Sequence, residues 1–240
     1  IAVDFGNLID ESIKRQVMSL FYQLQNKPLP GMIEAVPAYS SLTIYYDVLQ
    51  LRKVVAPDKT VYEWMVEQLQ DRVQQPLPPN NSSCRLVTIP VCYKNEFALD
   101  IEELAKTKNI SVDAVVRIHT SKTYRVYMLG FLPGFAYMGE ADQQIEMPRR
   151  QQPRQKVEAG SVGIAGRQTG IYPLASPGGW QIIGRTPLKL FDADKNEPTL
   201  LKAVDTVQFV SITENEFYEI QNSPSPFMER GLGGEVASAN

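Results

Sequence analysis

The sequence predicts an α+β protein of two parts, a domain of mixed helices and strands followed by a domain built mostly of short strands. Over about the first ninety residues, helical periodicity alternates with β-rich runs, whereas after the strand run at 124–129 short apolar runs are separated by Gly- and Pro-containing turns. A length of 240 residues also fits two domains. We expect domains over 1–95 and 96–222, with a mobile Pro-, Gly- and Ser-rich tail over 223–240.

The order of elements suggests the fold of the first domain. Its predicted elements are a strand over 1–5, a helix over 10–25, a hairpin over 32–46, a helix over 61–74 and a strand over 85–93. Asp10 is the expected cap of the first helix, Asp58 or Thr60 is that of the second, and a Pro/Asn/Ser-rich loop follows over 76–83. This β-α-β-β-α-β order matches the split-βαβ, ferredoxin-like unit, which hosts many functions.

The second domain is predicted to be a β-barrel or sandwich with little helix. Its predicted elements are a helix over 100–106, a helix capped by Ser111 that ends at Thr120, a strand over 124–129, further short strands, a last strand over 204–212 and a helical turn over 214–220. Turn signals at Pro133-Gly134 and over 177–179 separate the short strands.

Composition and charge restrict the partners. Apolar and charged fractions of 43% and 21% are those of a soluble globular protein. A net charge of −3 argues against nucleic acid or an anionic membrane as partner. Cys84 and Cys92 fall in one strand-like run roughly 27 Å apart, which excludes a disulfide within that strand. Unpaired thiols and the lack of a visible signal peptide predict a cytoplasmic protein.

The stretch from Met128 to Phe191 concentrates the residues from which a site could be built. It holds most of the glycines and a basic cluster among turns, and its basic residues include Arg149, Arg150, Arg154, Lys156, Arg167 and Arg185. Such a cluster is either a solvated loop or a site for a carboxylate or phosphate, formed by Arg side chains and glycine N–H groups.

Aromatic residues in the same stretch lie next to Gly and Pro turns. They are Phe131, Phe135, Tyr137, Tyr172 and Trp180. Aromatics usually belong to the core, but beside arginines they can also line a pocket for a small polar ring or a partner segment. The nearby carboxylates show no pairing, so neither a two-carboxylate hydrolase nor a metal site is predicted.

His119, the one histidine, excludes a multi-His metal site within this chain. It could act as a general base or proton shuttle, or be a packing residue at a helix end. The sequence around Ser161 lacks the spacing of a nucleophile elbow, so an orienting hydrogen bond is the safer role for this residue. The glycine-rich run over 163–170 predicts a backbone turn, with anion contact through its N–H groups as the functional alternative.

Long motifs in this stretch resemble one known family. GFLPGFAYMG at 130–139, the MPRRxxPR run at 147–154, GSVGIAGRQTGIYPLASPGGWQIIGRTP at 160–187 and LFD at 190–192 are similar to the B subunit of 5-oxoprolinase, the PxpB/KipI family, formerly called allophanate hydrolase subunit 1. PAYSSLTIYYD at 37–47 extends the resemblance across nearly the whole chain. Two departures are that family members usually have another strand's worth of residues ahead of Ile1, which suggests a truncated start, and that Glu158 replaces a common proline near Arg154.

The resemblance implies a fold and an activity. It implies a ferredoxin-like N-terminal domain and a cyclophilin-like β-barrel. It further implies a subunit, inactive alone, that works with the A and C subunits and with ATP and Mg to open 5-oxo-L-proline to L-glutamate. It implies His119 as the catalytic residue and a substrate- or ATP-binding set of Arg149, Arg150, Arg154, Ser161, Gln168, Tyr172 and Trp180.

Two alternatives remain open from the sequence. Some members of this family resemble inhibitors of sensor histidine kinases, which bind without catalysis. A urea- or biotin-linked carboxyl-transfer role rests on the similar domain of urea carboxylase and is less favoured, since no biotin carrier is fused to this chain.

Overall fold

The computed structural model describes residues 1–6, 11–74 and 85–223. The chain divides into two compact units, with the division between residues 83 and 84 rather than near Asn95. The predicted cap Asp10, the loop over 76–83, Cys84 and the tail from residue 224 lie outside the described residues.

The first unit is a three-stranded antiparallel sheet with helices packed on it. Its elements are β1 (Ala2–Asp4), α1 (Glu11–Asn26), β2 (Met32–Pro37), β3 (Ser41–Tyr46), α2 (Val48–Arg52) and α3 (Val61–Gln74), and the sheet order is β1-β3-β2. Apolar residues of α1 and α3 at helical spacing, Val17 and Met65 among them, pack on Ile44 of β3 in one core. The helices predicted over 10–25 and 61–74 are therefore confirmed within the described residues.

Local capping sets where the second and third helices of the first unit begin. Thr60, not Asp58, caps α3: its hydroxyl accepts from the Glu63 N–H at 3.1 Å, and its own N–H donates to the Glu63 carboxylate at 2.8 Å. The five-residue helix α2 was not predicted. Asp47 caps it by accepting from the Gln50 N–H at 2.9 Å, but its apolar run is too short for a helical period to be recognised.

The second unit contains most of the strands. Its elements are β4 (Leu86–Val91), α4 (Ile101–Lys108), α5 (Val112–Thr120), β5 (Thr123–Leu129), β6 (Ala136–Gly139), β7 (Arg154–Val157), β8 (Ser161–Ala165), β9 (Gln168–Ile171), β10 (Ser176–Gly178), β11 (Gln181–Arg185), β12 (Thr206–Ser211) and α6 (Glu214–Asn222), with short 3₁₀ turns at Asn95–Phe97 and Gln143–Ile145. Ser111 caps α5 as predicted, since its hydroxyl accepts from the Ala114 N–H at 3.1 Å.

Seven of these strands form a nearly closed barrel. The sheet order is β11-β8-β9-β6-β5-β12-β4, and β12 and β4 are the parallel pair. The edge strands β11 and β4 meet where Cys92 and Arg185 exchange backbone hydrogen bonds of 2.9 and 3.0 Å. Gly184 permits this approach, since a Cβ there would lie 2.6 Å from the Val91 side chain. The α+β class and the barrel are thus confirmed.

The placement of the strand predicted over 85–93 was wrong. The strand exists as β4, but it pairs with β12 of the barrel and not with the sheet of the first unit. Its sequence is apolar on both faces, and such a run does not indicate which sheet it joins. The fourth strand of the predicted ferredoxin-like order is therefore part of the barrel.

Successive residues of the barrel strands point to opposite faces. Ala136 and Met138 of β6 face an interior core that also takes buried residues from α4 and α5, whereas Phe135 and Tyr137 belong to a separate cluster on the outer face. The antiparallel pair β7 and β10 adds Val157 to this outer cluster. Within the ranges that the structure describes, no helix has the length and apolarity needed to cross a membrane.

Candidate functional site

Aromatic residues beside the glycine turns form the outer cluster. Its rings belong to Phe135, Tyr137, Tyr172 and Trp180, and we call these four the aromatic cluster. Phe135 contacts Tyr172 and Trp180 edge-on, with ring centroids 5.2 and 5.5 Å apart. The Trp180 side chain packs directly against the backbone of β8 and β9, because a Cβ on either Gly163 or Gly170 would lie 3.0 Å from it. The predicted residues Tyr172 and Trp180 are therefore brought together, and both are almost fully buried.

Arg149 is the exposed cation at this cluster. Its guanidinium lies 5.9 Å from the centroid of the Trp180 ring, within cation–π range, and it makes no ion pair with any residue in the described ranges. Burial raises the pKa of the Tyr137 hydroxyl, and the charge of Arg149 opposes that rise. Burial likewise raises the pKa of Tyr172, against a hydrogen bond from the backbone of Trp180.

The neighbours of Arg149 are anchored on both sides. The Pro148 carbonyl accepts from the Gln181 side-chain amide at 2.9 Å, and the Arg150 N–H donates to the Gly179 carbonyl at 2.7 Å. The segment over 148–150 thus lies along the segment over 179–181. This alignment places Arg149 over Trp180.

Arg150 and Arg154 converge on a buried carboxylate, Asp100. Arg150 Nη1 donates to Asp100 Oδ1 at 2.9 Å, while Arg154 donates to both carboxylate oxygens, at 2.9 and 2.6 Å. Asp100 is 2% exposed and also accepts from the Ile182 N–H at 2.6 Å. These two predicted ligand-binding arginines are therefore engaged within the protein. Glu158, expected near Arg154, pairs with Lys156 at 2.8 Å instead.

Asp100 was not recognised as a site residue from the sequence. It stands directly before α4, where an aspartate indicates a helix cap, yet its side chain makes no capping bond. The nearby charges are three arginines against Asp100 and the more distant Glu103, whose carboxylate is 3.9 Å from Arg150. The net charge of these groups is therefore positive, and the exposed guanidinium of Arg149 carries it.

His119 lies apart from this site, in the interior core. It is fully buried, and its ring stacks on Phe209 with centroids 4.5 Å apart. Burial lowers its pKa from 6.5 to about 3, so the imidazole is neutral at physiological pH. Its Nδ1 lies 2.8 Å from the Tyr93 hydroxyl and its Nε2 lies 3.1 Å from the Thr169 hydroxyl.

The hydrogen bonds around His119 assign its tautomer. The Thr169 hydroxyl donates to the Gly163 carbonyl at 3.1 Å, so it accepts the proton of His119 Nε2–H. Nδ1 then accepts from the Tyr93 hydroxyl. Both ring nitrogens are thus used, and in this structure His119 is a packing residue of the barrel. Its catalytic role stays a prediction, which would require the ring to become accessible.

Ser161 and Gln168 are at opposite ends of the β8–β9 hairpin. Val162 pairs with Ile171 and Ala165 pairs with Gln168, so Gln168 stands roughly 13 Å along the strand from Tyr172 at 3.3 Å per residue. Ser161 is buried next to the Tyr172 end, where its carbonyl accepts from the Tyr172 N–H at 2.9 Å. The structure therefore does not bring Gln168 to the aromatic cluster.

The glycine-rich run was expected to be a backbone turn, but it forms the β8–β9 hairpin, and three N–H groups at the start and at the turn of this hairpin are already bonded. The N–H groups of Gly160, Ser161 and Gly166 donate to the carbonyls of Tyr172, Glu158 and Met147. Gly160 also requires a left-handed backbone, with φ of 82°. These three amides are not open to an anion.

Two further observations concern metals and thiols. Among residues 1–6, 11–74 and 85–223, no group of three or more His, Cys, Asp or Glu is arranged to hold a metal ion. Cys92 is a buried free thiol whose pKa is raised by burial.

Known proteins with the same sequence pattern identify the family. The carboxyltransferase domain, subdomain C and D, matches residues 1–201. The 5-oxoprolinase B subunit of Bacillus subtilis is 42% identical over 90% of each chain. The chain belongs to the family of 5-oxoprolinase B subunits. The protein of the same name from Escherichia coli O157:H7 is 41% identical over 76% of this chain and 79% of its own.

Solved structures agree with the family assignment. The crystal structure of TTHA0988 is 35% identical, covers 89% of this chain and superposes with a TM-score of 0.74. This chain spans 40% of that longer protein. Urea carboxylase of Kluyveromyces lactis, at 21% identity and a TM-score of 0.70, shares the fold over 91% of this chain. The fold of the family also occurs, therefore, within longer polypeptides.

Proposed function

We propose that this chain is the B subunit of a cytoplasmic, ATP-dependent 5-oxoprolinase, which opens 5-oxo-L-proline to L-glutamate together with the A and C subunits. The observation that carries the proposal is the similarity, over 90% of both chains, to a protein named as the B subunit of 5-oxoprolinase. The exposed Arg149 on Trp180 supplies a contact point for an anionic substrate.

The chemistry explains what such a contact would do. A lactam carbonyl is a poor electrophile, and ATP supplies a phosphoryl group that turns its oxygen into a leaving group before water attacks. Both the carboxylate of 5-oxoproline and a phosphoryl group are anions that an arginine binds with charge-assisted hydrogen bonds. Arg149 would hold one such group, and the anchored segments on either side would keep the guanidinium in place.

The residues of this site fit one anionic group better than a whole nucleotide. Trp180 is only 4% exposed, which leaves its ring no open face for a purine. The amides of Gly160, Ser161 and Gly166 are bonded to carbonyls and cannot form a phosphate nest. We therefore place ATP and Mg mainly on the partner subunits.

The need for partners also follows from His119. Its two nitrogens are bonded inside the barrel, so it offers no base to a substrate bound at Arg149. We propose that the groups that activate water come from the A or C subunit. Kinase inhibition and carboxyl transfer stay alternatives from the sequence, since the carboxyltransferase-domain match and the fold shared with urea carboxylase do not by themselves assign a chemistry.

The test is 5-oxoproline-stimulated ATP hydrolysis by this chain alone and mixed with its candidate A and C subunits. We expect activity in the mixture only. Arg149→Gln should lower kcat/KM for 5-oxoproline by roughly tenfold to a hundredfold, the equivalent of one charge-assisted hydrogen bond. Arg117→Gln, a change at an exposed arginine of α5, is the matched control and should leave kcat/KM as it is. No stimulated hydrolysis with properly folded partners would refute the proposal.

A further inference from the structure

We propose that Asp100 is a positioning residue that fixes Arg149 over Trp180. The carboxylate would control how the site binds its anionic substrate without touching that substrate. The link to substrate rests on the proposed function, whereas the positioning itself is a property of this chain.

Asp100 joins three parts of the second unit. Its carboxylate accepts from the side chains of Arg150 and Arg154, which belong to the segment ahead of β7 and to β7 itself. It also accepts from the N–H of Ile182 in β11, and its own N–H donates to the Ile182 carbonyl at 2.8 Å. The segment over 150–154 and β11 are thus joined by hydrogen bonds to one buried residue at the start of α4.

Both members of the Arg149–Trp180 pair are close in the chain to a group that Asp100 binds. Arg150 directly follows Arg149, and Ile182 is two residues after Trp180. Two hydrogen bonds between described residues also join the two segments, from Gln181 to Pro148 and from Arg150 to Gly179. Without the Asp100 carboxylate, two neighbouring guanidinium groups would repel each other at a partly buried site. We expect the segment over 148–150 to move away from Trp180.

A buried aspartate can also be purely structural, and Asp205 provides the comparison. Asp205 is 5% exposed and accepts from Arg85 at 3.2 and 2.5 Å and from the Lys202 N–H at 2.8 Å. It therefore has the same chemistry as Asp100, but among the described residues no hydrogen bond or ion pair joins it to the segment over 148–150. Asp205→Asn is the matched control for Asp100→Asn.

The first measurement uses the isolated full chain with Trp64→Phe, which leaves Trp180 as the single tryptophan. Acrylamide quenching reports how well the Trp180 ring is covered. Asp100→Asn should raise the quenching constant severalfold, while Asp205→Asn should leave it unchanged. Equal constants for the two folded variants would overturn the proposal. If Asp100→Asn does not fold, Arg154→Lys replaces it, because this change loses the bidentate contact with Asp100 and keeps the charge. Arg154→Lys should raise the quenching constant to a smaller extent, and no rise would also overturn the proposal.

The second measurement uses the complex reconstituted with the A and C subunits. Asp100→Asn should raise the KM for 5-oxo-L-proline roughly tenfold with little change in kcat, because a mispositioned Arg149 weakens substrate binding. A residue that served stability alone would leave KM of the folded enzyme unchanged, as expected for Asp205→Asn. If the wild-type complex has no activity, the proposed function fails while the quenching result still decides the positioning role.

Discussion

Replacing His119 by Gln should remove a large part of the acid sensitivity of the second unit. His119 is fully buried and neutral, with a pKa of about 3 in the folded protein against 6.5 for a free side chain. When the chain unfolds, this imidazole becomes free to take up a proton. Between these two pKa values the unfolded state therefore binds one proton more than the folded state, and acid favours unfolding.

The direction and size of the effect follow from the two pKa values. The contribution of His119 to the free energy of unfolding is complete above pH 6.5 and is lost as the pH falls toward 3. The loss is about 1.4 kcal/mol per pH unit, so wild type should lose nearly 3 kcal/mol from this residue by about pH 4.5. Tyr93 and Tyr124, which contact His119, stay protonated throughout because burial raises the pKa of both.

The assay is urea unfolding across this pH range, followed by Trp180 fluorescence in chains that carry Trp64→Phe. Carboxylates titrate in both proteins, so the difference in unfolding free energy between wild type and His119→Gln isolates the histidine. As the pH falls from 6.5 toward 3, the free energy of unfolding of His119→Gln should rise relative to that of wild type by about 1.4 kcal/mol per pH unit. Parallel curves for the two proteins would refute the assignment of His119 as a buried neutral packing residue.

Two further predictions concern the barrel. Gly184→Ala should lower the free energy of unfolding by about 1–3 kcal/mol, because its Cβ would lie 2.6 Å from the Val91 side chain where the barrel closes. Gly130→Ala, whose nearest neighbour would be 3.4 Å away, is the control, and an equal loss in urea unfolding would contradict the closure. Thr169→Val should cost about 1–3 kcal/mol by leaving the buried Nε2–H of His119 without an acceptor, whereas Thr169→Ser keeps the hydroxyl and should cost much less. Similar losses for Val and Ser, measured in the same way, would argue against this hydrogen bond.

Part of the candidate site was predictable because its residues are neighbours in sequence. Four of the five aromatic residues beside glycine turns do form one cluster, whereas Phe131 is largely exposed, and the basic run does supply the exposed Arg149. The sequence did not predict which arginine is exposed and which two bind a buried carboxylate. Arg150 and Arg154 bind Asp100, which is 50 and 54 residues away in the chain, and no local pattern indicates such a partner.

The sequence by itself determined every helix of the described residues except α2, the positions of half of the strands, the Ser111 cap and the family, since periodicity, capping residues and long motifs are local properties. Only the tertiary structure decided which sheet β4 joins, since β4 and β12 pair across more than a hundred residues of chain. The tertiary structure likewise decided that His119 faces the interior of the barrel while Trp180 lies on its outer face. Which segments pair in a sheet, form an ion pair or pack in a core depends on the free energy of bringing distant parts of the chain together. Local sequence patterns do not contain that information.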